Sequence, residues 1–103
     1  MKQELVNIFK QAEGKKFTFI SLISSNGFEM HSCIENLKID GVTERVIFLR
    51  DEVANWDANI TIPLINLTDI EERELENFDI DDSEAEYDIT YSDGTELLIQ
   101  ICN

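Results

Sequence analysis

The chain has 103 residues, 43% of them hydrophobic, and carries 22 acidic against 8 basic side chains for a net charge of −14. That length suits one domain, and the apolar content suffices for a core, which argues against wholesale disorder. The charge argues against direct binding to nucleic acid, which needs clustered Lys and Arg, and against docking on anionic lipid.

Residues 2 to 13 are predicted to form a helix, because Leu5, Ile8, Phe9 and Ala12 follow the i, i+3, i+4, i+7 spacing of one apolar stripe. Gly14 stands where a C-cap glycine would end it. From Lys15 the period changes to two. Residues 17 to 24 read as a strand, and Asn26-Gly27 after it is a hairpin signal. Phe28, Met30, Ser32 and Ile34 then alternate with Glu29, His31, Cys33 and Glu35, and Leu37 and Ile39 continue the pattern, which predicts a long, bent second strand. Asp40-Gly41 turns the chain, residues 45 to 50 form a third strand, and residues 51 to 58 form a loop holding the single tryptophan, Trp56. Residues 59 to 62 are a fourth strand, stopped by Pro63. Thr68-Asp69-Ile70-Glu71 fits the capping box of a short helix and equally a short fifth strand with Ile70 inward. Residues 75 to 83 read as an acidic connection.

The last hairpin spans residues 84 to 102, and its register can be argued. A two-residue Asp93-Gly94 turn would put Leu97, Ile99 and Ile101 opposite Asp88 and Thr90. A three-residue Ser92-Asp93-Gly94 loop with a left-handed Gly94 pairs Tyr91 with Thr95 instead. Tyr87, Ile89, Tyr91, Leu97, Ile99 and Ile101 then share one face, and Glu86, Asp88, Thr90, Glu96, Leu98 and Gln100 the other. Since a one-residue slip flips every side chain, the second register is the expected one.

In its order of elements the chain resembles the Sm-like small barrels of the wider SH3-like class. The residues carrying the likeness are Gly14 to Leu22, Gly27-Phe28-Glu29, Ile34 to Leu37, Val46 to Leu49 and Ile60 to Leu64. The resemblance implies an α+β fold over residues 1 to 74: an N-terminal helix packed on a small antiparallel β-barrel or strongly bent sheet with its core in residues 15 to 74. The C-terminal β-hairpin is an addition, and the whole is a single domain. Sm-like proteins bind RNA through an Arg-Gly or Lys-Gly step in a late loop; the loops around Asn55-Trp56-Asp57 and Asn66-Leu67-Thr68 have none. The fold is therefore carried over and RNA binding is not.

Catalytic chemistry finds little to work with. The sole histidine, His31, lies two residues from Cys33, and a surface histidine beside a structural cysteine is the expected reading. Cys33 and Cys102 lack a CxxC spacing and read as buried, reduced thiols. There is no phosphate loop, HExxH or zinc spacing. Asp79-Ile80-Asp81-Asp82-Ser83-Glu84 begins like an EF-hand loop, but Glu84 replaces the required glycine and Thr90 the closing glutamate. No cofactor and no enzymatic activity are expected. The start, Met1-Lys2-Gln3-Glu4, leads into an amphipathic pattern, and no run is apolar enough for a membrane span, so a cytoplasmic setting is expected.

Function is expected from where the charge lies. Residues 1 to 68 hold nine acids against seven bases, a net of −2; residues 69 to 103 hold thirteen against Arg73, a net of −12. On a strand, Glu84, Glu86 and Asp88 would form one carboxylate row with Glu96 beside it, preceded by Asp79, Asp81 and Asp82. Such a row can occupy a basic groove meant for phosphates. In size and charge the chain resembles phage or mobile-element inhibitors that act as DNA mimics, including anti-CRISPR proteins. That likeness implies a basic, nucleic-acid-binding protein as partner. Trp56, in a polar loop, is a second candidate contact and equally a cover for an open end of the barrel. The alternative is an assembly barrel that oligomerises, its acidic face serving only solubility.

Overall fold

The computed structural model describes residues 1–53, 59–74 and 83–103, with Asn59 described by its backbone alone. In chain order the elements are α1 (Lys2–Ala12), β1 (Phe17–Ile23), β2 (Glu29–Glu35), β3 (Leu37–Val42), β4 (Val46–Asp51), β5 (Asn59–Pro63), β6 (Leu67–Arg73), β7 (Ser83–Tyr91) and β8 (Glu96–Cys102). They build a five-stranded sheet, β2-β1-β8-β7-β6, and a three-stranded sheet, β3-β4-β5, with every pairing antiparallel.

The chain passes between the sheets at two asparagines. Asn36, between β2 and β3, has φ 51°, and Asn66, between β5 and β6, has φ 63°. Asparagine tolerates this left-handed backbone better than most residues, so each sits where the strand direction breaks. The long second strand is thus bent, as its alternation predicts, and the bend divides it into β2 and β3. Residues 67 to 73 form a strand, and Ile70 packs against the core. Pro63 lies on the edge strand β5, paired with Val46, where its missing N–H costs no internal ladder bond.

One hydrophobic cluster joins α1 to both sheets. Leu5 and Phe9 of α1, Ile20 of β1, Ile47 and Leu49 of β4, Ile62 of β5, Ile89 of β7 and Leu97, Ile99 and Ile101 of β8 are all buried in it. Polar contacts fix the helix across the two sheets: Tyr87 Oη donates to Gln11 Oε1 at 2.8 Å, and Glu13 Oε2 accepts the Ile39 N–H at 3.1 Å. Tyr91 Oη donates to the Pro63 carbonyl at 2.7 Å, and burial raises its pKa well above the usual phenol value.

Several expectations need correction. The C-terminal hairpin is central to the larger sheet: β8 pairs with β1, and β7 with β6. Residues 15 to 74 therefore form no core separate from it; the described strands fall into two sheets, and α1 contacts β3 and β6. Gly14 is left-handed at φ 76°, yet its N–H donates to the Leu37 carbonyl at 3.1 Å, so it docks the helix end on β3 and does not close the helix on itself. Phe28 is exposed, because its carbonyl closes the turn with the Ser24 N–H one step beyond the last ladder pair, Ile23–Glu29. Cys102 is buried, but Cys33 is exposed, since its parity on β2 points away from the core.

Candidate functional site

The five-stranded sheet has one face on the core and one that, among the described residues, no other element covers. Thr18, Ile20, Ile34, Ile89, Leu97, Ile99 and Ile101 alternate inward, so their strand neighbours point out. Register then places residues from all five strands side by side. One row runs Glu29, Ile23, Glu96, Thr90, Asp69. The next runs His31, Ser21, Leu98, Asp88, Glu71. The third runs Cys33, Phe19, Gln100, Glu86, Arg73. Phe17 lies beyond, between Glu35 and Cys102. On β1 and β8 the middle of the face mixes apolar Ile23, Phe19 and Leu98 with Ser21, Gln100 and Glu96; Glu29 lies on the β2 flank and Asp69, Glu71, Glu86 and Asp88 on the β6–β7 flank.

Of the expected acids, Glu86, Asp88 and Glu96 are on this face. Hairpin register puts them there: Tyr91 N–H donates to the Thr95 carbonyl at 2.9 Å, and Gly94 is left-handed at φ 89°. Asp93 Oδ1 accepts the Thr95 N–H at 2.9 Å, and that bond holds the Asp93 carboxyl below the usual carboxylate range. Glu84 leaves the row. The ladder shifts between Ser83 and Ala85, and Glu84 in this bulge accepts a hydrogen bond from Lys15 Nζ at 3.0 Å. Asp79, Asp81, Asp82 and Trp56 lie outside the described residues, as does most of the EF-hand-like segment.

Glu29, Asp69 and Glu71 join the face although no sequence signal singled them out, and so do Phe17 and Phe19, while Leu98 lies on it as the hairpin register predicts. Arg73 sets the local electrostatics: its Nη1 is 3.9 Å from Glu86 Oε2 and its Nε is 3.5 Å from Asp88 Oδ2. Both contacts are long, and Arg73 is 56% exposed, so this one base neutralises the face incompletely. Glu72 has the opposite parity, opposite Tyr87, and together with burial its charge raises the Tyr87 pKa, burial being the larger cause.

The histidine is paired in a way the sequence did not suggest. Ser21 Oγ lies 2.8 Å from His31 Nδ1, while His31 Nε2 is 3.7 Å from Glu29 Oε2. The trio sits on open sheet, with His31 60% and Glu29 55% exposed, where water screens the charges and no wall shields a reacting group. Slight desolvation against the sheet, and after it the Glu35 and Asp51 carboxylates, raises the pKa of the exposed Cys33 thiol, which favours the unreactive thiol. Among the described residues no group of three His, Cys, Asp or Glu side chains gathers to hold a metal, and no helix is long and apolar enough to cross a membrane.

Compared with known protein families, curated proteins and solved structures, the chain matches none.

Proposed function

We propose that the protein is a non-enzymatic binding module that docks its acidic sheet face on a basic, nucleic-acid-binding protein in the cytoplasm. There it occupies ground meant for phosphates, in the manner of the phage-type DNA mimics it resembles in size and charge. The observation carrying this reading is the arrangement of Glu86, Asp88, Glu96, Glu29, Asp69 and Glu71 on one ordered face. Neighbours along a strand stand about 6.6 Å apart and neighbouring strands about 4.8 Å apart, which makes a two-dimensional array of negative charge. Solubility requires charge, but not charge gathered on one face against its own repulsion. Assembly through the same face is opposed by that repulsion, since a two-fold contact would set acid against acid. For the finer class of the fold, the corners at Asn36 and Asn66 favour a small, SH3-like, partly open barrel.

Competition tests the function. A protein captured by the immobilised chain should be released by duplex DNA and by raised salt, and not by a neutral polymer. A partner retained through excess DNA and high salt would contradict phosphate mimicry.

A further inference from the structure

The free face has a hollow near its centre. Phe19, Leu98 and Gln100 meet Arg73, Glu86 and Asp88 around a cavity of about 250 Å³. Small-molecule sites run to ~300–1,000 Å³, so this one has the size of a single side chain more than of a substrate. Its apolar wall suits a cation. Phe19 is 39% exposed, and its neighbour Phe17, 6.3 Å away between ring centroids, already has Lys16 Nζ 5.6 Å from its own centroid. Its acidic wall has unused capacity. Glu86 is only 18% exposed, and among the described residues its carboxylate meets just the long Arg73 contact. Asp88 Oδ1 is buried and accepts no hydrogen bond from any described residue. A buried carboxylate oxygen without a donor is an unfavourable arrangement that a bound donor would relieve.

We propose that this hollow receives one arginine side chain of the partner, its guanidinium stacked on Phe19 and donating to Asp88 beside Glu86. The inference rests on the proposed docking role of the acidic face and names the chemistry that anchors it. Arginine fits better than lysine because a planar fork can stack on a ring and donate two parallel bonds to a carboxylate, whereas an ammonium is a compact, strongly hydrated charge. Arg73 holds the rim as an internal stand-in and gives way to the incoming group. Charge complementarity selects a basic partner over a second copy of this acidic chain.

The test is a titration of the isotope-labelled, full-length protein with two capped tripeptides, Gly-Arg-Gly and Gly-Lys-Gly, followed by amide chemical shifts at low salt. The arginine peptide should bind at least about threefold more tightly, with the largest shifts at Phe19, Asp88, Leu98 and Gln100. Phe19→Ala should erase the preference, and Arg73→Gln should tighten arginine binding, an effect that mere structural support would not produce. Equal, dispersed shifts from both peptides across Glu29, Glu71 and Glu96 would overturn the arginine pocket and leave the docking face standing. Binding by neither peptide would overturn both. Line broadening that grows with protein concentration in the absence of peptide would identify a second copy as the occupant and overturn the proposal as well.

Discussion

Thr18 is the one fully buried polar residue in the described core, inward on β1 between Ile34 and Ile101, and its hydroxyl has no hydrogen-bond partner among the described residues. A buried hydroxyl without a partner costs about 1–3 kcal/mol, and valine has nearly its shape. Thr18→Val is therefore expected to raise the unfolding free energy by about 1 kcal/mol in a denaturant titration; a loss of stability would mean that the hydroxyl is satisfied in solution. Residue-scale reading of the sequence succeeded where parity decides and failed where depth decides. Ile70, inward in one of its two readings, packs on the core, whereas Phe28, with the inward parity of Met30 and Ile34, is exposed. Alternation tells which side of a sheet a residue takes and says nothing about how far the opposing layer reaches.

At the scale of elements, two hairpins share one turn chemistry. Ser25-Asn26-Gly27 and Ser92-Asp93-Gly94 each place a left-handed glycine third, at φ 90° and 89°. The turns lie side by side: a Cβ added at Gly94 would be 3.4 Å from Ser25 Cβ, while one at Gly27 would meet nothing within 4 Å. Alanine in the left-handed region costs about 1–2 kcal/mol at either site. A separation of 3.4 Å is ordinary van der Waals contact, so Gly94→Ala and Gly27→Ala should each show the backbone cost alone, with similar losses in melting temperature. A markedly larger loss for Gly94→Ala would show that the turns press together more tightly in solution. The C-terminal register was legible because a single slip would have buried Asp88 and exposed Leu97. The pairing of β8 with β1 was not, because no local pattern records which distant strand completes a sheet. That pairing, more than the hairpin, assembles the candidate site: it brings Phe19 and Leu98 between acids from β2 and acids from β6 and β7. The bulge at Glu84 was equally invisible, as was the hydrogen bond that Glu84 accepts there from Lys15 across the fold.

For the whole molecule, the net charge of −14 is spread unevenly, and the fold turns a bias along the chain into a bias on one surface. Long-range repulsion of this kind is screened over about 10 Å at 0.1 M salt, so total charge and charge placement can be separated by mutation. Two variants remove three acids each. The first, Glu86→Gln with Asp88→Asn and Glu96→Gln, strips the free sheet face; the second, Glu4→Gln with Asp40→Asn and Glu44→Gln, strips acids elsewhere. The decisive measurement is the affinity of both variants and the parent chain for one captured partner at matched low salt. Docking through the sheet face requires the first variant to lose binding at least about tenfold, as expected for charge pairs at a contact, with the second close to the parent. Equal losses in the two variants, or none in the first, would contradict a docking role for this face.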